Sequence, residues 1–146
     1  MLKTLYRMIL LFLSKIIKTD EVADKFPVSL KIIIRDDDRV LFLKNERDEW
    51  DLPGGKINYK EPVEVCIKRE VLEETKLEIC EIELVDFFKT DFNGVEVCIV
   101  LYTAEILSKN PVNISFEHND YNFFNFQEIE RINCQEQYKK IISSLT

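Results

Sequence analysis

Glycine is scarce in this chain. Only three occur in 146 residues, and two of them are adjacent, Gly54 and Gly55. Such sparing use excludes a collagen-like or flexible low-complexity chain. It also marks the Gly54-Gly55 pair as a point where the backbone needs positive φ or close approach. The third glycine, in Asn93-Gly94, reads as a hairpin turn. Long apolar runs are missing as well. None is longer than Met8 to Leu13, far short of the roughly 20 residues that a membrane span needs. Positive charge is in deficit, with 20 Lys and Arg against 27 Asp and Glu, a net charge of −7. That balance argues against a nucleic-acid groove, which wants an excess of Lys and Arg. The four cysteines, Cys66, Cys80, Cys98 and Cys134, are scattered without a C-x-x-C pair. They read as small apolar residues in a reducing compartment, the cytoplasm, rather than as a zinc site or disulfide frame.

What is present fits a single folded domain with a sizeable core. Apolar residues make up 46% and charged residues 32% of the chain, ordinary values for a globular protein. Two units are expected, residues 1–27 and residues 28–146. In the first, Leu2, Leu5, Tyr6, Ile9, Leu10, Leu13, Ile16 and Ile17 recur at helical spacing,. Within residues 2–18, Lys3, Arg7, Lys15 and Lys18 are the only charges. Such an amphipathic helix packs on its own domain or on a second copy, lies on a membrane surface, or is a processed targeting segment.

After Phe26-Pro27 the pattern becomes strand-like. Val28 to Arg35 and Arg39 to Lys44 read as strands across a turn at Asp36-Asp37-Asp38. The triple Asp lacks the Gly and the distal Glu of a calcium loop. Ile79 to Phe88 and Val95 to Leu107 read as strands, and Phe123 to Phe126 as another. Gln127 to Ile132 and Gln135 to Leu145 read as helices, the latter with Tyr138, Ile141, Ile142 and Leu145 on one face. Strands interleaved with helices predict an α/β class with helices on both faces of a mixed sheet.

The chemistry concentrates between residues 54 and 77. Leu52-Pro53-Gly54-Gly55 forms a turn leading toward a helix that starts at Pro62, taken as the first helical position. On that helix Glu70, Glu73 and Glu74 are spaced i, i+3, i+4 and share a face. Three like charges there repel one another, and a hard divalent cation with oxygen ligands would offset the repulsion. Arg69 can hold one carboxylate in fork geometry. A bare acidic helix face is usually just solvated, but this one is joined to the glycine turn.

The full stretch is Gly55, five residues, Glu61, seven residues, Arg69-Glu70, Val71, Glu73-Glu74 and Leu77. It resembles the signature of the Nudix hydrolases, with Lys76 in place of the family's glycine. A Lys at that left-handed position costs about 1 kcal/mol, or the helix ends differently. The resemblance implies an α/β/α sandwich and a hydrolase using Mg²⁺ or Mn²⁺. The family cleaves a phosphoanhydride of a nucleoside diphosphate linked to another group, by water attack on phosphorus. It implies Glu70, Glu73 and Glu74 as metal ligands, one of them alternatively the general base, with the Gly54 carbonyl as a further ligand. Arg69 would orient the cluster, and Glu61 would support it at the head of the helix. Ser115 to Phe124 is similar to the family's loop segment that carries one more carboxylate, here Glu117. His118, the only histidine, is read as a structural neighbour.

The substrate is less legible. The markers for ADP-ribose, dinucleoside polyphosphates, NADH and coenzyme A are absent. Tyr59, Phe88, Phe92 and Tyr121 are candidates for stacking a base, and Lys44 and Arg47 for reaching phosphate. A Nudix-fold module that binds a nucleotide or protein without hydrolysis is the alternative. The clustered carboxylates argue against it, because a binding module need not keep their mutual repulsion. A diphosphate isomerase on this fold would need additional acid–base residues that the sequence does not place.

Overall fold

The computed structural model describes residues 26–108 and 110–145, together with Ile9. The helix read over residues 2–18 lies outside the described residues apart from Ile9. Among the described residues there are seven strands and three helices. In chain order they are β1 (Val28–Asp36), β2 (Arg39–Lys44), β3 (Trp50–Asp51), β4 (Gly54–Lys56), α1 (Val63–Thr75), β5 (Ile79–Phe92), β6 (Val95–Ile106), β7 (Asp120–Asn125), α2 (Phe126–Ile129) and α3 (Glu136–Ser144).

The run Ile32-Ile33-Ile34 on β1 explains the layering. Successive strand residues face opposite sides, and all three isoleucines are fully buried, so both faces of the sheet need cover. Ile32 and Ile34 pack with Cys66, Ile67 and Val71 of α1. Ile33 packs with Tyr138, Ile141 and Ile142 of α3. The sheet therefore lies between α1 and α3, the expected α/β/α sandwich. It is mixed, because β1 runs parallel to β6 while its other pairings are antiparallel. The strand order is β3-β2-β1-β6-β5, with β4 added on β1 and β7 on β2.

One edge of β1 is shared by two strands. Ser29–Lys31 pair with β4, and Arg35-Asp36 pair with the start of β2. Between them the Ile32 amide donates to the Pro53 carbonyl at 2.9 Å. This stitching makes Gly54-Gly55 the start of a short strand, where the sequence reads as turn only. Both expected hairpin turns form. Asp37 has φ 55°, and Asn93 and Gly94 have φ 53° and 81°.

The helices deviate at their ends. Pro62 is extended, with φ −63° and ψ 142°, so it caps α1 rather than opening it. Asn125 and Glu128 form a reciprocal capping box at α2. That helix ends at Ile129, because the Arg131 and Ile132 amides both turn back to the Glu128 carbonyl. On α3, Tyr138, Ile141 and Ile142 are buried, but Leu145 lies past the last turn and is 41% exposed. All four cysteines are free, with only Cys66 fully buried. No described helix is long and apolar enough to cross a membrane.

Candidate active site

The two glycines of β4 serve different ends. Gly54 has φ 140°, and a Cβ there would lie 2.0 Å from the Leu30 carbonyl oxygen. Only glycine lets β4 approach β1 this closely. A Cβ on Gly55 would instead lie 2.5 Å from Glu70 Oε2. The second glycine leaves a space that the Glu70 carboxylate fills, so β4 and α1 meet through a side chain against bare backbone.

Arg69 ties the head of the site together. Its Nε and one terminal nitrogen donate to the two oxygens of Glu61 at 2.7 and 3.0 Å. The other terminal nitrogen donates to Glu70 Oε1 at 2.7 Å and to Glu73 Oε2 at 3.3 Å. Glu61 also accepts the Asn58 amide at 2.9 Å. The Arg69 hydrogen bonds, with that amide, hold the Glu61 carboxyl down at about 2. Glu70 behaves in the opposite way. Burial pushes its carboxyl upward, with Glu74 and Glu73 adding repulsion, and Arg69 only partly offsets this,. A single guanidinium thus serves three carboxylates.

Glu74 is buried at 8% exposure. One oxygen accepts the Gly54 amide at 2.8 Å, and the other lies 3.1 Å from His118 Nε2. The loop carrying His118 is pinned to the end of α1. Asn113 N donates to the Thr75 carbonyl at 2.9 Å, and Ser115 N donates to the Glu74 carbonyl at 3.0 Å. This pinning brings Glu117 in as well. Glu74, Glu117 and His118 each offer a ligand atom, all within 4.8 Å of one another. The helix closes as a glycine would close it. Lys76 takes the left-handed conformation, φ 61° and ψ 16°, and its amide donates to Leu72 O. The backbone path after α1 is therefore kept despite the substitution.

Two residues of this region, Lys31 and Asp51, were not singled out from the sequence, and Tyr138 was read only as part of the apolar face of α3. Lys31, on β1, donates to Asp51 Oδ2 at 2.8 Å and to the Leu52 carbonyl at 3.1 Å. Asp51 Oδ1 accepts the Tyr138 hydroxyl at 3.0 Å. Burial alone would lower the Lys31 ammonium, but Asp51, Glu74 and Glu70 outweigh it and hold the group above its ordinary value,. The available signal was a charge set directly before the apolar run Ile32-Ile33-Ile34. Burial, with Asp51 adding to it, raises the Tyr138 hydroxyl well above its ordinary value.

Beyond Asp51 lies an open cleft of about 330 Å³, lined among others by Trp50, Asp51, Phe92, Asn93, Gln135 and Tyr138. Of the four stacking candidates only Phe92 lines it. Phe88 packs edge-on against Tyr138 in the core, at 6.0 Å between ring centroids. Tyr59 is 92% exposed, and Tyr121 sits on β7. Arg47 reaches the cleft but pairs with Glu49 at 3.1 Å. Lys44 pairs with Asp48 at 2.6 Å.

The donors at the site are carboxylate oxygens short of positive charge, which suits a hard divalent cation. Glu70, Glu73, Glu74 and Glu117 could hold one.

A family model described as NUDIX domain matches residues 25–145. A MutT-like protein of Streptomyces ambofaciens is 32% identical over 65 residues, 44% of this chain and 42% of that protein. The matched stretch is thus less than half of that relative. The fold resembles the crystal structure of a MutT NUDIX hydrolase from Burkholderia pseudomallei, with TM-score 0.73 and 22% identity, covering 84% of this chain and all of that one. It also resembles a C. elegans Ap4A hydrolase in a binary complex, with TM-score 0.70 and 14% identity, covering 82% of this chain and 94% of that one. With the family model spanning nearly all the described residues, and the glycine pair, Arg69 and the α1 carboxylates joined as above, the chain belongs to the Nudix hydrolase family.

Proposed function

We propose that the protein is a Mg²⁺- or Mn²⁺-dependent hydrolase that cleaves a phosphoanhydride bond of a nucleoside diphosphate linked to another group. One observation carries this reading: Glu70 and Glu74 of α1 lie against the bare backbone of Gly55 and Gly54, and one guanidinium, that of Arg69, is shared by Glu61, Glu70 and Glu73. Such an arrangement stores negative charge where a cation and phosphates can meet. Glu70, Glu73, Glu74 and Glu117 would hold the metal, with the Gly54 carbonyl beside them. When bound, a divalent cation supplies positive charge against phosphate oxygens and makes water more acidic. The protein's own part is orientation. Arg69 fixes Glu70 and Glu73 from one side, Glu61 anchors Arg69, and the Gly54 amide and His118 fix the two oxygens of Glu74.

In the reaction a water oxygen bonds to one phosphorus and the anhydride P–O bond breaks. The leaving phosphate keeps the bond electrons, and a carboxylate of the cluster takes the water's proton. The nucleoside end is supported by the cleft beside Asp51, which offers Trp50 and Phe92 as ring surfaces and the amides of Asn93 and Gln135 as donors and acceptors,. Its charged lining is one Arg47 against Glu49, Asp51 and Asp91, so a neutral or donor-bearing head group suits it better than a phosphate. Hydrolysis of a dinucleoside polyphosphate is named for the C. elegans neighbour and belongs among the substrates to try.

The test is a panel of nucleoside triphosphates, nucleotide sugars, ADP-ribose and dinucleoside polyphosphates with Mg²⁺, scored for the products released. Turnover of at least one class, with phosphoanhydride cleavage, is expected. Binding of several panel members without any cleavage would favour a non-hydrolytic nucleotide-binding module.

A further inference from the structure

Asp51 lines the cleft with most of its bonding capacity already occupied. Its Oδ1 accepts the Leu52 amide at 2.8 Å and the Tyr138 hydroxyl at 3.0 Å, and its Oδ2 accepts Lys31 Nζ at 2.8 Å. A carboxylate offers roughly four acceptor sites, so one is left, on Oδ2. The side chain is 33% exposed, and the residue belongs to the cleft wall. Its partners come from β1, from the residue after β3 and from α3. The oxygen is therefore fixed in position before a ligand arrives, and a fixed, partly buried acceptor discriminates strongly between head groups that can and cannot donate to it.

The rest of the lining sets the character of the partner. Among the described residues of the cleft, the one cationic side chain is Arg47, and Glu49 holds it at 3.1 Å. Asp91 adds a further carboxylate, and Trp50 and Phe92 add ring surfaces. With a volume of about 330 Å³, the cleft is at the small end for a ligand pocket. The amino groups of cytosine, adenine and guanine project N–H donors beyond the ring. The ring N–H of uracil or thymine instead lies between two carbonyl oxygens. Bringing it to Asp51 would drive those oxygens toward the carboxylates.

We propose that Asp51 is a specificity-determining residue, and that it selects a nucleoside whose base carries an exocyclic amino group. The inference rests on the placement of the nucleoside end in this cleft proposed above. Lys31 and Tyr138 act through Asp51 as positioning residues, one on each of its oxygens.

Trp50 is the only tryptophan of the chain, so its single indole N–H resonance reports occupancy of the cleft. Titrating the full chain with free nucleosides needs neither metal nor turnover. Two matched pairs isolate the amino group, cytidine against uridine and guanosine against inosine. The amino-bearing member of each pair should bind about tenfold or more tightly, the scale of one hydrogen bond to a charged group. A Lys31→Met, Asp51→Asn double variant removes both charges together and leaves neither unpaired, and there the preference should fall to within about twofold. Asp91→Asn should keep it. Equal affinities in the wild type would overturn the proposal. So would a preference that survives in the folded double variant or is lost in Asp91→Asn, or an indole signal that no nucleoside moves. If the double variant fails to fold, the wild-type pairs and Asp91→Asn decide. Selective binding without turnover of any phosphorylated substrate would sink the hydrolase reading alone, and turnover without base preference would sink this inference alone.

Discussion

A methyl group on Gly55 would lie 2.5 Å from Oε2 of Glu70. The strand and the helix are thus fitted to one another through a carboxylate rather than through an apolar contact. This relationship separates two substitutions that look alike in the sequence. Gly55→Ala should displace Glu70 and lower turnover by about 10², as loss of a preorganised electrostatic group does, with a small change in melting temperature. Gly54→Ala meets backbone at positive φ and should cost about 2 kcal/mol or more in stability. Thermal melts and initial rates on the pair check both halves. A Gly55→Ala enzyme with wild-type rates would show that the Glu70 position is not required.

Glu117 and His118 both reach Glu74, but their expected effects differ. Glu117→Gln should reduce turnover and metal affinity with the fold intact, because Glu117 is exposed and carries no core packing. His118→Ala removes a hydrogen bond to Glu74 and should be milder. Steady-state rates and metal titrations on both variants rank them, and wild-type behaviour of Glu117→Gln would reduce that residue to a surface carboxylate.

Acid should act through Glu61. Its folded carboxyl titrates at about 2 against an ordinary value of 4.5, chiefly because of Arg69. A depressed carboxyl contributes stability that is fully present above its unfolded value and is lost as pH falls through the folded one. The stability gap between wild type and Glu61→Gln should therefore be constant at neutral pH and close between about pH 4.5 and 2. Urea melts across that range measure it. A gap independent of pH would mean that the Arg69–Glu61 pair contributes by packing alone.

Lys31 should matter for stability. Lys31→Met leaves Asp51 with Tyr138 as its remaining side-chain partner and should cost about 1–3 kcal/mol, the usual penalty for an interior polar group that loses its partner. Chemical denaturation gives the number. A neutral result would show that solvent replaces the ammonium at Asp51.

Much of this was legible in the chain. The spacing from Gly55 to Leu77 placed α1 and its carboxylates, because helical period and glycine scarcity are local signals. Asn93-Gly94 placed a hairpin for the same reason. The Lys31–Asp51–Tyr138 chain was not legible, since its members lie 20 and 87 residues apart and meet only through the sheet and α3. The β4 strand was read as turn because its partner, β1, is distant in sequence. The left-handed Lys76 was legible as a conflict, but not its outcome. The turn it closes is held by tertiary contacts of the following loop, such as Asn113 to Thr75, and these override the local preference.

The most direct measurement follows product release from a substrate found in the panel, in Mg²⁺ and in EDTA, for wild type and Glu73→Gln. Glu73 has a side chain 60% exposed, so the substitution should leave the fold unchanged. The account predicts turnover in Mg²⁺ that disappears in EDTA, returns on adding the cation, and is lower by about 10² in Glu73→Gln. Undiminished turnover in EDTA, or a Glu73→Gln enzyme as fast as wild type, would contradict it.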